Sequence, residues 1–305
     1  MTIARAYDLF MKDRSGYCSA KTLETYSGHM KVFFRFLESK FISADLLTFE
    51  ALPPDVNILS DYILYLRLDY SGSITNTTIR SYVRPVKAFL RFCYEEDICK
   101  DYLKRVKLPK LDAVPPAPLL AEEVMRLDAC FDLSSLKGLR NYCIVHLMLD
   151  CGLRSQEVLH LENVDIDAAH HLLHIRISKE CKSRITMIPD FLSGHILKYM
   201  QRCGRSSGTI FYSLKQNQPL TGNSIKQLFQ DLKQQSDIPR LHAHLLRHTF
   251  ATAYLCGGGN LEFLRVLMGH SDYGVTKIYS SLAAQYKMLG VPIYQLDPVF
   301  FQILG

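Results

Sequence analysis

The stretch HAHLLRHTFATAYL, residues 242–255, sets His244, Arg247 and His248 within one helical turn and then runs on as an ordinary apolar helix. Residues three and four apart share a helix face, and two imidazoles beside a guanidinium gain little from each other. They gain from an anion held in front of them. Four more residues offer matching chemistry. Arg154 follows a glycine in GLRSQEVLHL, Lys179 stands in the polar turn SKECKSR, His270 lies in LMGHSDYGVT, and Tyr279 follows in KIYSSL. Each has an ordinary explanation: an ion pair with Glu157, a solvated turn, a helix cap, a core aromatic. As a set, two arginines, two histidines, a lysine and a tyrosine without a carboxylate cluster make a site for a phosphodiester that uses no metal. Guanidiniums grip both non-bridging oxygens and offset charge building at phosphorus. A tyrosine hydroxyl is a nucleophile able to hold phosphate as an ester, and a lysine beside the leaving oxygen can supply its proton. A zinc set of His242, His244 and His248 is a rival, but no Cys or carboxylate stands at a convincing spacing beside it.

The bulk properties bound the reading. At 305 residues the chain has room for two domains. Hydrophobic residues make up 48%, yet no apolar run approaches the roughly 20 residues a membrane helix needs. The start, MTIARAYDLFMKDRSG, lacks the layout of a signal peptide, so a cytoplasmic protein without a membrane partner is expected. Nine cysteines without a C-x-x-C pair point to reduced thiols rather than a disulfide or zinc framework. The balance of 36 Lys+Arg against 30 Asp+Glu, net +6, is compatible with a nucleic-acid partner.

The elements that must position these residues form a mainly α chain with a small β-sheet (α+β). Four prolines in RVKLPKLDAVPPAP mark a linker over 105–118. The part before it, 1–104, reads as four helices. One carries Leu23, Tyr26, Met30, Phe33, Phe34 and Leu37 on a stripe; another carries Val56, Leu59, Ile63 and Leu66. A third buries Ile79, Val83, Val86, Phe89, Leu90 and Cys93 and shows Arg80, Arg84, Lys87 and Arg91 on its outer face, a ridge suited to phosphate contacts. The larger part opens with helices over 119–130 and 136–151 and a further helix after Gly152. Alternation over 174–177 and 185–188 about the polar turn 179–183 predicts a hairpin. Helical periodicity then resumes with Thr221 as a cap and is broken by glycines in CGGGN, 256–260. The final VPIYQLDPVFFQILG is apolar without an obvious internal partner.

GLRSQEVLHL, HLLRHTFAT and LMGHSDYGVTKIYSSL, in that order, resemble the three active-site patches of the tyrosine recombinase (phage integrase) family, and the lysine of SKECKSR fits its fourth element. The resemblance covers 119–285 by motif, and the first third only in general character. It implies a simple, Xer-like, two-domain enzyme: a helical core-binding domain over 1–104, the linker, a catalytic domain over 119–285 and a C-terminal tail over 286–305, closing as a C-shaped clamp on DNA. Carried over residue by residue, Arg154 and Arg247 bind the scissile phosphate, and Tyr279 attacks it to form a 3′-phosphotyrosyl bond. Lys179 protonates the leaving 5′-oxygen, and His244 and His270 hydrogen-bond the phosphate and assist proton movement. Glu157 supports Arg154, and His248 is structural. The family's lysine turn reads Gly-Lys-Gly-x-Lys-x-Arg; here the flanking glycines are absent, so Lys182 is a rival to Lys179 as general acid. The implied enzyme is a site-specific recombinase that needs no metal and no cofactor. Its partner is double-stranded DNA carrying a recombination site. It acts as a homotetramer, or a heterotetramer with a paralogue, through a Holliday junction, with an accessory protein as a further partner. Its role is dimer resolution or the integration and excision of a mobile element. A type IB topoisomerase and a catalytically silent DNA-binding protein are the alternatives. The tail either docks on a neighbouring protomer, as such segments do in the family, or packs on its own domain.

Overall fold

The computed structural model describes residues 1–70, 72, 74–104, 106–110, 116–176, 183–205, 207–269 and 273–302. The chain divides into two compact units, Met1–Val114 and Pro115–Gly305.

The first unit is built from α1 (Ile3–Ser15), α2 (Ala20–Lys40), α3 (Ile58–Leu68) and α4 (Asn76–Glu95). Thr2, Ser19, Asn57 and Thr75 cap them, each side-chain oxygen accepting from a first-turn amide. Phe10, Phe33, Phe36, Tyr62 and Phe89 fill the core as interlocking rings. Every apolar position expected on α4 is buried. On α2 the buried face also takes in Val32 and Phe36, which the expected stripe omits. Pro85 sits inside α4 and has no N–H for the carbonyl of Ser81 four residues back. His29 of α2 lies beside that carbonyl and packs its ring on Tyr82 of α4, the centroids 4.7 Å apart.

The second unit holds α5 (Ala121–Asp128), α6 (Leu136–Leu149) and the short α7 (Ser155–Leu159), followed by the strands β1 (Ile166–Asp167), β2 (Leu172–Ile175) and β3 (Arg184–Met187). The strands form an antiparallel sheet in the order β1-β2-β3. The expected hairpin is present, its first strand starting two residues earlier than the alternation suggested, with β1 added at its edge. Ile175 pairs with Arg184 at the end of that ladder. The helices α8 (Asp190–Cys203), α9 (Gly222–Gln235), α10 (Ala243–Cys256), α11 (Leu261–Met268), α12 (Tyr273–Leu289) and α13 (Val299–Gln302) complete the unit. Thr221 caps α9 through the Ser224 amide as the sequence suggests. α10 is buried along nearly its whole length and packs on α6, α11 and α12.

Two features were not expected. Buried inside α6, His146 lies between two carboxylates, with Nδ1 2.6 Å from Asp150 Oδ2 and Nε2 2.9 Å from Asp128 Oδ1. The Tyr294 hydroxyl donates to Asp150 at 2.5 Å. The apolar C-terminal segment, for which the sequence left both a neighbour and its own domain open, packs on its own unit in this single chain. Ile293 forms an antiparallel bridge with Leu120, Phe300 is buried against Phe250, and Phe301 stacks on Tyr254. Among the described residues no helix is long and apolar enough to cross a membrane.

Candidate active site

The site is organised by the way α10 enters the core. Gly152 has φ +67°, and a Cβ there would lie 2.6 Å from the Phe250 ring of α10. Only glycine lets the turn before α7 approach α10 this closely. The carbonyl of Gly152 then accepts from Nη1 of Arg247, whose Nη2 donates to the carbonyl of Met268 at the end of α11. Arg154 stands two residues after Gly152, as the N-cap of α7. Its Nη2 donates to the carbonyl of Gly269 at 3.1 Å. The two guanidiniums, 93 residues apart by number, therefore converge on one short turn at 268–269.

Glu157 holds this arrangement. It is 4% exposed and accepts from the Arg154 backbone N–H at 2.7 Å and from Arg154 Nη1 at 3.0 Å. This is the Arg154–Glu157 pairing that the sequence offered as the ordinary explanation, and the structure contains it. The carboxylate also takes a bidentate pair from Arg184 of β3, at 2.6 and 2.7 Å, and Arg184 Nε donates to the carbonyl of Leu267 at 2.8 Å. Burial alone would raise the Glu157 pKa; Arg184, the Arg154 amide and Arg247 outweigh it and hold it below the usual carboxylate range. Arg184 was not singled out from sequence. Its signal was its match to the last Arg of the family's lysine turn, which says nothing of a partner 27 residues away on another element.

Three guanidiniums around one carboxylate leave an excess of positive charge facing the site. Burial, then the Arg154 charge, depresses the pKa of Arg247. An anion in front of the pair would relieve that strain. Tyr279 of α12 lies in the same field. Burial raises its phenol pKa, and Arg247 and Arg154 pull it back. The ring packs 4.9 Å from that of His248. His248 is buried, and that burial holds its imidazole below the usual histidine range. His244 lies near the start of α10, its imidazole held below the usual histidine range by desolvation on its protein side and by Arg247, His242 and Arg154.

The structure thus gathers Arg154, Glu157, His244, Arg247, His248 and Tyr279. Lys179, Lys182 and His270 lie outside the described residues. The structure does not support the zinc alternative: His242 turns its Nδ1 to the Arg240 carbonyl at 2.7 Å. Among the described residues no group of three metal-ligating side chains forms. On α4, Arg84 and Arg91 are exposed; Arg80 is half-buried and donates to the Pro109 carbonyl at 3.0 Å, and Lys87 is half-buried.

Comparison with known proteins agrees with this reading. The model of the phage integrase family matches residues 119–286, and that of the phage integrase SAM-like domain matches residues 2–107. The chain belongs to the phage integrase family, the tyrosine recombinases. It is similar to tyrosine recombinase XerC of Bacillus pumilus, 28% identical over 275 residues and 87% of each chain. It is also similar to tyrosine recombinase XerC of Chlamydia trachomatis, 29% identical over 230 residues and 73% of each. Among solved structures, the Tn1549 transposon integrase in complex with a circular intermediate DNA matches with a TM-score of 0.71 at 16% identity, over 95% of this chain and all of that one. A lambda integrase dimer bound to a COC′ core site matches at 0.70 and 17%, over 92% and 95%. These structural likenesses show the same fold.

Proposed function

We propose that the chain cuts and rejoins duplex DNA at a specific site through a 3′-phosphotyrosyl intermediate. The observation that carries this reading is the convergence of Arg154 and Arg247 on the 268–269 turn, with Tyr279 inside their field. A phosphodiester bound there has its non-bridging oxygens between two cations. Tyr279 Oη attacks phosphorus, the bond to the 5′-oxygen breaks, and that oxygen takes a proton from Lys179, with Lys182 as the alternative donor. The positive field favours the phenolate that develops as Tyr279 gives up its proton. His244, with its lowered pKa, is neutral near pH 7 and can accept a hydrogen bond or proton; His270 has the matching role. The ester conserves the bond energy, so a 5′-hydroxyl of a partner strand can reverse the step. Glu157 positions Arg154, and His248 supports the Tyr279 ring.

Duplex DNA is the partner, contacted in the first unit by the α4 ridge of Arg80, Arg84, Lys87 and Arg91. Strand exchange between two duplexes requires four protomers and passes through a Holliday junction, with dimer resolution or mobile-element movement as the outcome. Docking of the tail at 286–305 on a neighbouring protomer in such an assembly would require it to leave the packing on Phe250 and Tyr254 seen in the single chain. The test is capture of SDS-stable protein–DNA adducts from a sheared genomic library in EDTA. Adducts from the wild type and none from Tyr279→Phe support the reading, and sequencing the captured DNA identifies the site. Binding by both proteins with adducts from neither would overturn it.

A further inference from the structure

Arg184 is 8% exposed and lies on β3, directly after the lysine turn. All three of its guanidine nitrogens are engaged. Nη1 and Nη2 hold the two oxygens of Glu157, and Nε holds the Leu267 carbonyl. Each oxygen of Glu157 is shared with Arg154: Oε1 with its Nη1, Oε2 with its backbone N–H. Arg184 thus touches the helix that carries Arg154 and the end of α11, just before the turn where Arg154 and Arg247 meet.

The charge balance is as informative as the geometry. Glu157 carries one negative charge, and two guanidiniums claim it. Arg184 is the more deeply buried of the two, its side chain 5% exposed against 32% for Arg154, and it makes the bidentate contact. Desolvated charge pairs interact more strongly than half-solvated ones, so Glu157 is neutralised chiefly by Arg184. Arg154 keeps its orientation from the carboxylate and most of its charge for the ligand. With Arg184 absent, Glu157 would close on Arg154 and compete with the phosphate.

We infer that Arg184 is a positioning residue for phosphate binding and cleavage: it occupies Glu157 so that Arg154 stays aimed and uncompensated, and it ties β3 to the 267–269 turn. This inference rests on the proposed function. Partners that orient a ligating side chain are worth about 10- to 100-fold at metal sites, and a loss on that scale is expected here.

The test uses the full chain in single-turnover cleavage of a nicked duplex carrying the captured sequence, at saturating protein. Arg184→Gln should lower the cleavage rate constant by about 30-fold, with DNA affinity within about threefold and an unchanged fraction of molecules able to react. Arg184→Lys, which keeps the charge but not the fork, should recover part of the rate. Glu157→Gln added to Arg184→Gln should cost no further rate, because the carboxylate left behind is itself the harm. A smaller reactive fraction at an unchanged rate constant would mean that Arg184 only supports folding and would overturn the inference. So would defects of Glu157→Gln and Arg184→Gln that multiply in the double variant. If wild type makes no adduct on DNA it binds, the functional reading itself has failed and this inference falls with it.

Discussion

The buried His146 gives the second unit a pH-dependent stability whose size follows from the structure. Burial favours the neutral imidazole, but Asp150 and Asp128 outweigh it and raise the pKa from 6.5 to about 9. The folded state therefore binds the proton more tightly than the unfolded chain. The stabilisation is complete below pH 6.5, declines as pH rises, and is gone above about pH 9. The shift of about 2.5 units corresponds to about 3 kcal/mol at full protonation, of which about 2 kcal/mol survives at pH 7.5. His146→Gln removes the titrating group and should flatten this slope. Urea unfolding read by pulse proteolysis, with bands from the second unit scored separately, measures it directly. The stability difference between wild type and His146→Gln should shrink by about 3 kcal/mol from pH 6 to pH 9.5. A difference that stays constant over that range would refute the reasoning, since it would mean that His146 is not held as an imidazolium.

Other perturbations probe other links in the account. A Cβ on Gly257 would sit 2.4 Å from the Phe301 ring, so Gly257→Ala should displace the C-terminal segment at a cost of about 1–3 kcal/mol. Faster trimming of the C-terminus by carboxypeptidase would show it; an unchanged trimming rate would argue against the observed packing. On α4, Arg84→Ala and Arg91→Ala should each weaken DNA binding across sequences and lower the salt dependence of affinity by about one unit of slope, measured by fluorescence anisotropy from low to moderate salt. Affinity that does not change would remove those residues from the interface.

The features that were legible in the sequence are the local ones. Helix caps, the α4 stripe and the hairpin follow from periodicity and side-chain type over a few residues, and the active-site strings are short motifs within single elements. The features that were missed depend on partners remote in sequence. Arg184 looked like the end of a basic turn because Glu157 is reached only through the fold. His146 sits inside the apolar run CIVHLMLD, where nothing local shows that Asp128 from α5 closes the other side of the ring. The glycines of CGGGN read as a helix stop, and they are one; that Gly257 also makes room for Phe301 depends on a residue 44 positions on. Pro85 should weaken α4, and that His29 of α2 lies beside the freed carbonyl is visible only in the fold.

The central claim is that Tyr279 is the residue that becomes joined to DNA. The most direct measurement is to digest a captured adduct with nuclease and trypsin and to locate the residual nucleotide by mass spectrometry. Cleavage after Lys277 and Lys287 gives the peptide 278–287, which contains both Tyr279 and Tyr286, so fragmentation must distinguish them. The account predicts a 3′-linked nucleotide on Tyr279 alone. A nucleotide on Tyr286, on a serine or on any other peptide would contradict it.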